Sequence, residues 1–160
     1  MHKLIIMVAM AMLLLTACDP NRVYEQNTDF EKGSWTVDNA PVFEFKIEDT
    51  TQHYNVYFNV RYALSYEYYN LYLKHQLLGP DGKPLSSQLH ELLLMDPKTG
   101  KPLGKGSSDL YDLQALALKD ITFKQKGTYK LVLTQYMRRD PLPGILAVGV
   151  RVAKKTADKK

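Results

Sequence analysis

Cys18 is the one cysteine in 160 residues, and it stands directly after Leu15-Thr16-Ala17. A thiol in that setting has a defined chemistry. The small residues before it admit a leader peptidase, and the thiol is the nucleophile a lipid transferase alkylates. Met1-His2-Lys3 supplies a short positive start, and Leu4 to Ala17 runs fourteen residues without a charge. That run is too short to cross a hydrocarbon core, which takes ~20 apolar residues. It has the form of a secretory signal ending in small residues. Residues 1–17 therefore read as a lipoprotein signal peptide and Cys18 as the lipidation site, carrying diacylglycerol and an N-acyl chain such as palmitate. A single chain binds only marginally, and each buried methylene adds ~0.8 kcal/mol, so two or three chains hold a globular domain at a membrane surface. No other cofactor is expected. With its one Cys lipidated, the mature chain has no disulfide and must stand on core packing.

The remaining reactive residue types are sparse. His53, His75 and His90 are the histidines of the mature chain, and a zinc site needs three or four ligands. If residues 70–78 and 88–95 form a hairpin, Leu71 faces Leu94, Leu73 faces Leu92 and His75 faces His90, a cross-strand imidazole pair rather than a metal site. Gly100-Lys-Pro-Leu-Gly104-Lys105-Gly106-Ser107 resembles a phosphate-binding loop, but its spacer is one residue short and Gly106 stands where a metal-binding hydroxyl is required. A glycine-rich turn explains it, and no nucleotide is expected. A G-x-S-x-G nucleophile elbow is absent. Loop carboxylates such as Asp81, Asp96 and Asp109 are ordinary turn residues, so the chain reads as non-enzymatic. Tyr66, Tyr68, Tyr69 and Tyr72, following Tyr62, crowd one connection. Exposed Tyr faces stack on sugar rings and are common at binding patches. An alternative reading is therefore a glycan- or peptide-binding lipoprotein that uses this patch.

The elements that position these residues are strands. Eleven tyrosines and an aromatic content of 11% favour sheet. Period-two alternation marks Val42–Ile47, Tyr54–Tyr62, Asn70–Leu78, Thr128–Met137 and Ile145–Ala153. In the clearest of these, Tyr54, Val56, Phe58, Val60 and Tyr62 share one face, with Asn55, Tyr57, Asn59 and Arg61 on the other. Ser34–Val37 and Gln88–Met95 are further candidates, and Tyr111–Phe123 is ambiguous between a helical turn and a strand. Gly79–Pro84, Asp96–Pro102 and Lys124–Gly127 are turns. Seven or eight short strands indicate an all-β fold, an antiparallel β-sandwich of Ig-like or jelly-roll-like type. The expected organisation is a signal peptide at 1–17, a lipidated Cys and tether at 18–30, the sandwich at 31–153 and a basic disordered tail at 154–160. The net charge of +4 misleads, because Lys3 leaves with the signal and the tail carries the rest. A neutral body excludes nucleic-acid binding.

In order and spacing, several segments resemble the GldH-type gliding-motility lipoproteins of the Bacteroidetes. They are Cys18-Asp-Pro-Asn-Arg-Val-Tyr24, the strand ending at Arg61, Tyr66-Glu-Tyr68-Tyr69-Asn70-Leu71, and Gly79-Pro-Asp81-Gly82. Leu103-Gly104-Lys105-Gly106 with Asp109, Gly127-Thr-Tyr129 and Gln135-Tyr-Met137-Arg138 complete the set. The likeness spans nearly the whole mature chain. It implies a lipid-anchored accessory or structural component of the gliding and type IX secretion machinery, without enzymatic activity. It implies protein partners in an envelope complex. The expected place is the cell envelope, on the outer membrane, and because Pro20-Asn21-Arg22 after Cys18 provides no acidic cluster for surface display the domain is expected to face the periplasm. Arg61, Gly104, Lys105, Gly106, Asp109 and Arg138 are the family-pattern residues, without assigned roles.

Overall fold

The computed structural model describes residues 19–156; the signal-peptide reading of 1–17 and the lipidation of Cys18 lie outside the described residues. The strands are β1 (Arg22–Asp29), β2 (Ser34–Trp35), β3 (Val42–Ile47), β4 (Tyr54–Ala63), β5 (Asn70–Leu78), β6 (Pro84–Leu93), β7 (Lys105–Ser107), β8 (Leu110–Ile121), β9 (Gly127–Gln135), β10 (Leu142–Pro143) and β11 (Ile145–Lys154). Two antiparallel sheets face each other, one in the order β1-β11-β4-β8-β7 and the other β3-β9-β5-β6, with β10-β2 as a small third pair. The sandwich expected from the alternation is what forms.

Each alternating strand buries one side. Phe43, Phe45 and Ile47 of β3 meet Val56, Phe58 and Val60 of β4, Leu71 and Leu73 of β5, Leu131 and Leu133 of β9, and Val148, Val150 and Val152 of β11 in one core. Trp35 is fully buried and stacks on Phe30 with ring centroids 5.0 Å apart. β1 lies against β3, which closes one side of the sandwich. On the other side the gap between β8 and the β5–β6 turn is an apolar cavity of about 460 Å³, lined by Leu77, Leu85, Leu118, Ile121, Phe123 and Tyr129.

Three expectations are corrected. Residues 18–30 were expected to be a tether, yet Arg22–Asp29 is a strand, paired along its length with β11 from Ala153 to Ala147. Its composition is polar because an edge strand wets one whole face. Tyr24 turns inward onto Phe45, centroids 5.9 Å apart, while Glu25, Asn27 and Asp29 turn out. The tail expected at 154–160 begins inside the fold: Lys154 ends β11, and Lys155 N–H donates to the His53 carbonyl at 2.8 Å. Residues 157–160 lie outside the described residues. The β5–β6 register is offset by two from the one expected, with Leu71 opposite Leu92, Leu73 opposite His90 and His75 opposite Gln88, and with a bulge beside the turn at Leu78. A shift of two keeps every side chain on its face. The histidines still meet, diagonally, with His75 Nδ1 2.7 Å from His90 Nε2. The ambiguous 111–123 stretch resolves as the twelve-residue β8, since pairing with β4 outweighs the helix preference of its Ala and Leu residues.

Candidate functional site

The outward face of the five-stranded sheet carries three aligned rows. Glu25, Arg151, Tyr57 and Leu116 form the first, and Asn27, Gly149, Asn59 and Gln114 the second. Asp29, Ala147, Arg61, Asp112 and Lys105 form the third. Strand β11 contributes only Gly149 and Ala147 to the lower two rows, so the sheet has a trough along it. A Cβ at Gly149 would fall 1.8 Å from Asn27 Oδ1. The missing side chain is what lets the Asn27 amide lie across β11 and reach β4.

In that trough Asn59 Nδ2 donates to Asn27 Oδ1 and to Glu25 Oε1, both at 3.2 Å. Gln114 Nε2 donates to Asn59 Oδ1 at 2.9 Å. Arg61 grips Asp112 with two bonds, Nε to Oδ1 at 2.9 Å and Nη2 to Oδ2 at 3.3 Å, and the carboxylate pushes the guanidinium pKa upward. Arg151 donates to Glu25 Oε2 at 3.2 Å and pairs with Asp19. The Asp19 carboxyl is held below the usual range first by the Asn21 N–H and then by Arg151. The space above the lower rows is a cavity of about 550 Å³, bounded also by Leu103, Gly104 and Lys105. Glu25, Arg61 and Asp112 are paired across the strands, Lys105 has no ion pair among the described residues, and the central row is uncharged.

The family-pattern residues divide. Arg61 and Lys105 line the cavity. Gly104 donates its N–H to Tyr62 Oη at 3.0 Å, and Tyr62 Oη donates to the Leu94 carbonyl at 2.6 Å. A Cβ at Gly104 would lie 2.8 Å from the Asp112 carbonyl oxygen, and one at Gly106 2.1 Å from that of Leu110. Both glycines thus permit the close backbone approach of the β7–β8 hairpin, and no helix follows them. Asp109 offers its carbonyl to the Leu64 N–H at 2.7 Å beside this hairpin. Arg138 stands apart, exposed in the loop after β9 of the other sheet.

The tyrosine patch does not assemble. Tyr66 is buried, donates to the Asn70 carbonyl at 3.0 Å, and has its pKa raised by that burial. Tyr68 meets it edge-on, Tyr72 is half-buried, and of the four only Tyr69 is largely exposed, at 48%. One member is core and two rings meet edge to face, so no stacking platform exists. Among the described residues no group of three or more His, Cys, Asp or Glu is placed to hold a metal. His53 Nδ1 lies 2.6 Å from Asp120 Oδ1 and takes no part in the His75–His90 contact.

The amides Asn27 and Gln114, and Glu25, Arg151 and Gly149, were not visible as site residues from sequence. The available signal was the polar side of β4, where Asn59 and Arg61 alternate with the core.

Comparison with known proteins identifies relatives over nearly the whole described chain. The GldH lipoprotein family profile matches residues 22–152, from β1 through β11. The "Gliding motility lipoprotein GldH homolog" of Christiangramia forsetii is 30% identical over 149 residues, covering 89% of this chain and 90% of that protein. The "Gliding motility lipoprotein GldH" of Flavobacterium johnsoniae is 29% identical over 153 residues, covering 91% and 93%. Among solved structures, dimeric latent PorU from Porphyromonas gingivalis aligns with 84% of this chain and 13% of its own, at 11% identity and a TM-score of 0.32, a likeness too distant to bear on the fold. The chain belongs to the GldH lipoprotein family.

Proposed function

We propose that this protein is a lipid-anchored, non-enzymatic component of the gliding and type IX secretion machinery. Lipid on Cys18 holds it at the outer membrane, facing the periplasm, and the polar trough of the five-stranded sheet docks a protein of that machinery. One observation carries the reading: Arg61, held by Asp112, and Lys105, which has no ion pair among the described residues, converge on a single cavity from strands far apart in sequence. A partner that lays amide and hydroxyl groups on the central row and a carboxylate against Lys105 exchanges hydrogen bonds there without burying an unpaired charge.

The test separates anchor from docking. Cys18→Ala moves the protein from the membrane to the soluble fraction. Arg61→Glu with Lys105→Glu leaves it membrane-bound and folded, and abolishes surface spreading and secretion of type IX cargo in a strain that depends on it. Normal spreading and secretion by the folded double variant would sink the docking role, and unchanged membrane retention of Cys18→Ala would sink the anchor.

A further inference from the structure

We propose that β6 is a homodimer edge: two copies of this chain pair their β6 strands antiparallel, with Leu89 opposite Leu89 of the second copy, joining two four-stranded sheets into one of eight. The proposal is independent of the lipid anchor and of the trough, which lies on the other sheet.

Sheets blunt their open edges with charge, brevity or bulges, because unpaired N–H and C=O groups recruit another strand. The other edges follow this rule. β1 carries Arg22, Glu25 and Asp29, and β3 carries Glu44 and Lys46. β7 is three residues long, and β8 beyond it shifts register twice against β4. β6 does not follow it. Eight of its ten residues are exposed, and Glu91 is its one acidic or basic residue apart from His90. Its single irregularity lies at the turn end, opposite Leu78. Leu89 and Leu93 stand along its outward face, 47% and 44% exposed.

The hydrogen-bond phase selects the pairing. Tyr136 N–H donates to the Tyr72 carbonyl at 2.8 Å, so Tyr72 and its alternate neighbours turn their backbone groups toward β9. Leu71, Leu73 and His75 turn theirs toward β6, where Leu92, His90 and Gln88 face them. Ser87, Leu89 and Glu91 are therefore left aiming N–H and C=O away from the molecule. A two-fold centred on Leu89 brings these three opposite Glu91, Leu89 and Ser87 of the second copy, a fully bonded set. The same register sets the Ser87 hydroxyl against the Glu91 carboxylate and opposes no like charges. Centring on Gln88 or His90 instead places Leu89 against Ser87 or Glu91 and loses the Leu89–Leu89 contact, and hydrophobic pattern is what fixes register.

The decisive experiment is disulfide mapping of the whole protein in its own envelope membranes, with the wild-type chain as control. Oxidation of Leu89→Cys is expected to give a covalent dimer, since its two copies face each other directly. Ser87→Cys is expected not to, because its two copies stand about 13 Å apart along the strands, beyond the ~7 Å limit between Cα atoms for a disulfide. In sedimentation, the chain from Asp19 onward, which holds every strand, is expected at twice the chain mass. Leu89→Pro, which removes an outward N–H that β5 does not use, is expected at the single mass with unchanged circular dichroism. A wild-type monomer, equal cross-linking at 87 and 89, or a maximum at 88 or 90 would overturn the proposal.

Discussion

Acidification should destabilise this domain through its buried His75 before its carboxylates respond. His75 is fully buried between His90 and Ser86, with its Nε2 3.0 Å from Ser86 Oγ. Phe58 sets its ring edge against His90, centroids 5.1 Å apart. Burial, and then the neighbouring His90, push the His75 pKa down from 6.5 to about 4, and burial also lowers that of His90. A folded pKa below the unfolded value means the native state holds fewer protons. Its stability is then fully present above pH 6.5 and is lost as pH falls through 6.5 toward about 4. For His75 alone the linkage integral gives a loss of about 2 kcal/mol between pH 7.5 and pH 5. Urea unfolding of the wild type and of His75→Leu at several pH values measures it. Leucine suits the apolar surroundings, and the groups left behind, His90 and Ser86, can reach water. The variant should lose less than half as much stability over that interval. A full-sized loss in His75→Leu, or a His75 pKa near 6.5 by NMR titration, would refute the reasoning.

Other substitutions read other parts of the structure. Gly149→Ala places a methyl 2.6 Å from the Gln26 carbonyl oxygen and expels the Asn27 amide. Overpacking of about 2 kcal/mol plus about 1 kcal/mol for the lost Asn27–Asn59 bond should lower the calorimetric Tm by about 10 °C, and an unchanged Tm would deny that the trough needs glycine. Tyr62→Phe removes a bond to the Leu94 carbonyl and one from the Gly104 N–H, so it should cost about 2 kcal/mol in urea and speed exchange of the Gly104 amide. Gly106→Ala cannot keep the β7–β8 hairpin closed, with its Cβ 2.1 Å from the Leu110 oxygen, so amides of 105–107 should lose protection while those of β4 keep theirs.

What the sequence makes legible follows from where information about packing resides. β3, β4, β5, β9 and β11 are each half-buried, and alternation of apolar and polar residues is the direct print of that condition. β1 leaves no such print. It buries little beyond Val23 and Tyr24, and its polar residues serve a network rather than a loop. β8 leaves a confusing one, because its inward Ala115 and Ala117 are small and helix-favouring while its outward side carries Leu116. The trough was partly visible, since Asn59 and Arg61 lie on the polar side of the clearest strand. Its other members come from 32 and 55 residues away, and only the register of non-adjacent strands aligns them. The tyrosines illustrate the opposite error. A cluster in sequence is not a cluster on a surface, and the turn at Ala63–Tyr66 drives Tyr66 into the core.

The strand that replaces the expected tether changes how this molecule meets mechanical force. A pull on the chain ahead of Asp19 enters the sheet through Arg22 and runs along β1. Ladder bonds lie across the strand direction, so they resist such a pull in shear. With the opposing load carried along β11, the partners from Arg22 to Asp29 would be strained together rather than peeled in succession. The trough draws its Glu25 and Asn27 from that same strand, so tension along β1 would be felt at its hydrogen bonds first. A domain hung by a slack linker would keep such a surface indifferent to load; this one couples the two.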